Sequence, residues 1–290
     1  MSLRRLAATF VLLWLGVPLH AEQRVTHPYL GITYVDRTES APRALHMHIV
    51  QIDLTAPGLR FKLSPPGGAR EVVRQTTLAF LTQERAQLAI NAHYFLPFPS
   101  TDTDAWVIGI AASEGRVYSA FETPEQDYAL LADAPGINID RENHASIVHR
   151  DSGQPDGRHV AEPVTLWTTF AGAAQIVTHG AASIPDLAWY RVVQARTAAG
   201  LSRDGRTLTL FTVDRSGGSE GMRIDEVAEI LRRDYGVWEA LNLDGGGSTT
   251  MVMADPVTGA PALVNASSDA NHASGRAVGS SLAVFARPNP

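Results

Sequence analysis

The sequence predicts an α+β fold: a mixed, β-sheet-rich single domain with few helices and one strand–helix–strand (βαβ) unit at about 206–244. Three observations predict it. Short runs with period-two alternation, or with β-branched and aromatic content, recur along the chain. Only one long stretch, at 222–236, shows a full helical apolar pattern. Strand-like runs flank that stretch at the spacing of a crossover connection.

The elements follow in chain order. Residues 1–21 read as an export signal. Arg4 and Arg5 give a positive start, "LAATFVLLWLGV" gives an apolar run too short to span a bilayer comfortably, and "PLHA" offers cleavage after Ala21. Retention of the segment as an anchor is the alternative. The remainder, 22–290, is expected to form the one domain. "ALHMHIVQIDL" (44–54) alternates, with Leu45, Met47 and Ile49 on one face and His46, His48 and Val50 on the other. "TLAFLTQERAQ" (77–87) suits a short helix, and "LAINAHYF" (88–95) a buried strand with a polar and aromatic end. "WVIGIAASEGRVYSAF" (106–121) suits a hairpin turning at 113–115. "YALLA", "GINID" and "ASIVHR" continue the strands between 128 and 150, before a polar loop at 151–159.

The clearest unit begins with the strand "RTLTLFTVD" and the loop "RSGGSEG". Then Ile224, Val227, Ala228, Leu231 and Tyr235 line one helical face. Arg232 and Arg233 complement the helix dipole at its end, and Gly236 suits the left-handed residue that stops it. "VWEALNLD" is the second strand. A crossover makes two such strands parallel and near neighbours, so Asp214 and Asp244 are expected at one sheet edge. Ligands of open sheets bind at such edges.

Composition excludes several classes. Removal of 1–21 leaves 22 basic and 30 acidic residues, a net charge of −8, with no footprint for nucleic acid. Cysteine is absent, which excludes disulfides, thiolate metal sites and a cysteine nucleophile. Lys62 is the only lysine and has no glycine-rich run before it, so "DGGGST" is not a nucleotide P-loop. A secreted or periplasmic protein, without stable membrane insertion after signal cleavage, fits this profile.

The candidate site centres on "NLDGGGSTT". Gly245, Gly246 and Gly247 permit positive φ, and their N–H groups are expected to converge into a nest for an anion, aided by Ser248, Thr249 and Thr250. A tight turn between strands is the alternative. Asp214 with Asp244 suits a carboxylate pair for glycoside chemistry; one catalytic and one loop-capping carboxylate suits equally. Asn91 and His93, followed by two aromatics, suit sugar contacts, or His93 is a satisfied core histidine. Arg196 suits a phosphate fork or a solvated surface. His46 and His48 read as an ordinary exposed strand face, and Asn265 opens a glycosylation sequon.

The blocks "AINAHYF", "QARTAAGLSRDGRTLTLFTVD", "SEGMRIDEVAEILRRDYGVWEALNLDGGGSTTMVM" and "SGRAVGSSLAVF" occur in the order of the phosphodiester glycosidase family, which the chain resembles over roughly 30–287. The resemblance implies a hydrolase that breaks the anomeric C–O bond of a sugar-1-phosphodiester in a glycan or surface polysaccharide. It carries over Asn91, Arg196, Thr197, Asp214, the run Asp244 to Thr249, and Arg276. The family usually shows glycine where this chain has His93. No cofactor is required on this reading, and a divalent cation bridging carboxylate and phosphate is compatible with it. A non-catalytic module that binds phosphate-linked exopolysaccharide is the competing function.

Overall fold

The computed structural model describes residues 21–122, 132–269, 271 and 273–289. The expected export signal therefore lies outside the described residues except for Ala21, as does most of "YALLA". Strands dominate, and α-helix is confined, among the described residues, to α1 (Thr77–Glu84) and α2 (Ile224–Tyr235).

The largest sheet has eight strands. In spatial order they are Ala21–Tyr29, Ile32–Glu39, Leu45–Asp53, Thr207–Val213, Arg196–Ser202, Val237–Asn242, Ala174–Thr178 and Ala181–Ala182, with every neighbouring pair antiparallel. Two five-stranded sheets accompany it. One runs Pro261–Leu263, Met251–Ala254, Leu88–Asn91, Ser281–Phe285, Arg60–Leu63. The other runs Arg116–Ser119, Ala111–Ser113, Thr168–Ala171, Gly136–Ile139, Ala145–Val148.

The apolar residues of these strands explain the layering. Val50, Ile52, Leu208, Leu210 and Leu241 leave one face of the large sheet and meet Leu88, Ile90, Leu282 and Ile137 from the smaller sheets in a shared core. The opposite face presents Leu45, Met47, Ile49, Phe211 and Val213 to Ile224, Val227, Ala228 and Leu231 of α2. The strand at 44–54 thus has apolar residues on both faces because the large sheet is covered on both sides. Helix α1 covers the outer face of the sheet containing Leu88–Asn91 through Phe80 and Leu81.

Local signals set the ends of α2. Glu226 accepts the Arg223 N–H at 2.8 Å, and Gly236 adopts φ 64° at the C-terminus, a conformation a Cβ disfavours. The helix joins two strands that run in the same direction but are not adjacent. Arg196–Ser202 lies between them, antiparallel to both. The cause is the tight turn at 203–206, with Gly205 at φ 68°, which folds Arg196–Ser202 onto Thr207–Val213 as a hairpin. The slot beside Thr207–Val213 is then filled, and the crossover must land one strand further along.

Candidate active site

Register decides which side chains meet. Val213 pairs with Arg196, and Asn242 with Ala198. Arg196, Asp214 and Asp244 therefore emerge at one edge of the large sheet. The strand Leu88–Asn91 from the neighbouring sheet ends there too, since the Asp244 N–H donates to the Ala92 carbonyl at 3.0 Å.

Asn91 fixes the loop that follows Asp244. Its Nδ2 donates to the Asp244 carbonyl at 2.6 Å, while its Oδ1 accepts from the Thr250 N–H and the Thr197 hydroxyl, each at 3.0 Å. One fully buried amide thus clamps both ends of the run 244–250. The Thr197 Oγ1 also lies 3.3 Å from the Thr249 Oγ1. Within the clamp, Gly246–Ser248 form a 3₁₀ turn, with Gly246 at φ 59°. The turn differs from the expected nest. The N–H groups of Gly246, Ser248 and Thr249 donate to the carbonyls of Ala195, Gly245 and Gly246. Two of those bonds close the turn and the third ties it to Ala195, so these three donors do not converge on an anion.

The glycines serve close approach. A Cβ on Gly245 would stand 2.9 Å from the Ala195 carbonyl, and one on Gly247 would stand 2.3 Å from Nη2 of Arg276. Bare backbone at 247 lets the Arg276 guanidinium lie against the turn. That guanidinium is held by Asp269 (Nε to Oδ2 2.7 Å), has Nη1 3.5 Å from the Ser248 Oγ, and covers the Phe98 ring at 4.7 Å.

Asp244 sits at the partly exposed start of this turn. Burial of its carboxyl group pushes the pKa up to about 7, against the Ser248 hydroxyl, the Arg276 charge and the Gly245 N–H, which all favour the ionised form. Such a group gains and loses its proton near neutrality. Burial, reinforced by the Asp244 charge, holds the Tyr94 phenol well above its ordinary range. Arg196 is 4% exposed rather than a solvated surface residue, and lies beneath Gly245. Its Nε donates to the Met222 carbonyl at 3.0 Å, and its Nη2 to the carbonyls of Trp189, at 3.1 Å, and Val192. Among the described residues no ion pair involves Arg196 and no protein acceptor meets its Nη1. Burial lowers its pKa, partly offset by Tyr94 and Tyr190.

The other expected residues are enclosed. Asp214 has no exposed surface. Its Oδ1 accepts from Asn265 Nδ2 at 3.2 Å, and its Oδ2 from the Ala266 N–H at 3.1 Å and faces His48 Nε2 at 3.3 Å. It reaches the glycine turn only through Asn265, whose Nδ2 also donates to the Thr249 carbonyl at 3.2 Å. In this arrangement Asp214 braces a loop and presents no oxygen to open space. His93 is 1% exposed, with Nδ1 2.8 Å from the Ser280 Oγ and Nε2 between the Ile110 carbonyl and the Ala171 N–H. Burial pushes its pKa down to about 4, which keeps it neutral. No ring nitrogen is left for a sugar. Two further expectations are corrected. Asn265 is 4% exposed and donates to Asp214, so it is no glycosylation acceptor here. His48 is 1% exposed, and His46 and His48 are accompanied by Asp36 and Asp214, so this is no ordinary exposed face.

A family model for phosphodiester glycosidases matches residues 84–285. The chain belongs to the phosphodiester glycosidase family. The family name places it among glycosidases, hydrolases by class. A stretch of 62 residues is 47% identical to mouse N-acetylglucosamine-1-phosphodiester α-N-acetylglucosaminidase and 45% identical to the human one; it makes up 21% of this chain and 12% of each relative. The match thus spans about an eighth of those relatives. Among solved structures, a Burkholderia pseudomallei protein described as exported superposes with TM-score 0.66 at 15% identity, covering 98% of this chain and 100% of that one. The zebrafish N-acetylglucosamine-1-phosphodiester α-N-acetylglucosaminidase catalytic domain, auto-inhibited by its pro-peptide, superposes with TM-score 0.61 at 20% identity over 92% and 88% of the two chains. At these identities the superpositions show a shared fold.

Phe98 is a residue of the candidate site that sequence reasoning missed. It is 50% exposed and stacks on Arg276 at the mouth of the turn. The available signal was an aromatic between two prolines in "LPFPSTDTD", a setting that does not suit a core strand.

Proposed function

We propose that this chain is an exported glycosidase that hydrolyses a sugar-1-phosphodiester. The observation that carries this reading is that partly exposed Asp244 and the Arg276 guanidinium meet at one glycine turn, above a buried Arg196 that lacks an acidic partner among the described residues. A phosphodiester anion would supply the missing negative charge. Family membership, and the phosphodiester substrate in the names of the mouse and human relatives, support the same chemistry.

In the proposed reaction, water attacks the anomeric carbon and the anomeric C–O bond breaks. The electron pair leaves with the phosphate, which stays on the other partner as a monoester. A phosphate is a good leaving group, so the main demand is to hold it and to stabilise positive charge at the sugar. Arg276 and Nη1 of Arg196 serve the first need, with Ser248 as a hydroxyl donor. The Asp244 carboxylate serves the second, and as the base that activates the attacking water it takes up the proton that water loses. Asn91, Thr197 and Thr249 hold the turn, and Asp214 braces it from behind. Residues 1–21 act as the cleaved export signal, and 22–290 form the domain.

The test is incubation of purified protein with an N-acetylglucosamine 1-phosphodiester, following free N-acetylglucosamine. The proposal requires turnover that Asp244→Asn abolishes while the fold is kept. Binding of the diester by the wild type with no released sugar would instead establish a module that binds phosphate-linked polysaccharide.

A further inference from the structure

Behind Asp214 lies a cluster that the proposed reaction does not use. His46 and His48 stand two residues apart on Leu45–Asp53, so their side chains share a sheet face. Asp36 pairs directly with His48 from the adjacent strand. On the other flank Val213 pairs with Met47, which brings Asp214 to the same face. Asp36, His46 and His48 offer ligand atoms that all lie within 4.8 Å of one another.

We propose that this cluster binds one divalent transition-metal ion of the zinc class, through His46, His48 and a flanking carboxylate. Spacing supports it. His48 Nε2 and His46 Nδ1 lie 3.3 and 3.6 Å from the same oxygen, Asp214 Oδ2. Ligand atoms bound to a tetrahedral zinc at its usual bond lengths are ~3.3 Å apart. The remaining ring nitrogens already have the partners that orient histidine ligands. His48 Nδ1 meets the Tyr34 hydroxyl at 2.8 Å, and His46 Nε2 meets Asp36 Oδ1 at 2.6 Å, a carboxylate–histidine arrangement typical of metal sites.

Access and charge agree. The His46 and Asp36 side chains are 33% and 36% exposed, whereas His48 and Asp214 are enclosed, so the cluster opens to solvent on one side only. Two imidazoles and two carboxylates make a donor set whose formal charge a dication offsets. Imidazole with carboxylate suits zinc better than calcium or magnesium, which take oxygen ligands.

The experiment uses the full chain, purified without a histidine tag and stripped with chelator. Zinc chloride is titrated by calorimetry, and Co²⁺ is added as a spectroscopic probe. One saturable site is expected, with intense visible Co²⁺ bands of tetrahedral geometry. Zinc at about a hundredfold excess over its Kd should raise Tm by roughly 5–10 °C. His46→Ala and Asp36→Asn should each weaken zinc at least tenfold, since ligands and their orienting partners both contribute on that scale. His144→Ala, at a histidine whose side chain is 82% exposed, should not. Should His46→Ala fail to fold, Asp36→Asn and the wild-type Co²⁺ spectrum decide. No saturable binding, or wild-type affinity retained in both open-side variants, overturns the proposal and leaves a hydrogen-bonded cluster.

Discussion

The Asp244 carboxyl is held near neutrality by two opposed influences: the loss of water around it and the Arg276 charge beside it. Asp244→Asn keeps the size and removes the titration, so kcat should fall by about 10²–10⁴-fold, the range for one positioned acid–base group. In the wild type, kcat/KM should rise with pH through a midpoint near 7, because the proposed role needs the ionised form. A profile that falls through that midpoint would assign Asp244 as an acid. Gly247 tests the other half of the site. Its φ is not in the left-handed region, so alanine is backbone-compatible, but the new Cβ would meet the movable tip of Arg276. Gly247→Ala should therefore leave Tm within a few degrees while lowering kcat/KM at least tenfold, as Arg276 is pushed off the turn. A silent effect on kcat/KM would show that Arg276 does not act from there.

At the scale of elements, Gly236 gives a clean measurement. It ends α2 at φ 64° with nothing within 4 Å of where a Cβ would be. Gly236→Ala should cost about 1 kcal/mol, the left-handed penalty alone, and lower Tm by roughly 2–4 °C with activity unchanged. This helix was legible in the sequence because its determinants are local: an apolar period, charges suited to the dipole, and a glycine at the stop. The glycine turn and its strand were legible for the same reason. The strand order was not, although Asp204 and Gly205 already encoded the hairpin that separates the two parallel strands. The site was legible in part. Asp244, Arg196 and Arg276 stand out by residue type and motif. The enclosure of Asp214 and His93 was not, because their partners lie far along the chain: Asn265 is 51 residues from Asp214, and Ser280 is 187 from His93. No period or spacing reports such a pairing.

For the whole molecule, the buried titratable groups set the pH dependence of stability, and two of them oppose each other. His93 is pushed from its ordinary 6.5 down to about 4, so between those values the unfolded chain holds the extra proton and stability rises with pH. Asp244 is pushed from 3.8 up to about 7, so across that window the folded chain holds the proton and stability falls as pH rises. Burial raises Glu71 and Glu122 as well, which adds to the falling side. The wild type should thus show a shallow Tm profile between pH 4 and 7. Asp244→Asn removes the largest falling contribution and leaves His93 less opposed. Its Tm should climb relative to the wild type as pH increases from 4 to 7, by about 5 °C or more if most of the linkage is realised. The gap between the two profiles should stop changing only once the pH is well below 3.8, where Asp244 is protonated in the native and the unfolded chain alike. Parallel Tm profiles for the pair would mean that Asp244 is ionised throughout, and the desolvated carboxyl on which the proposed chemistry rests would be lost.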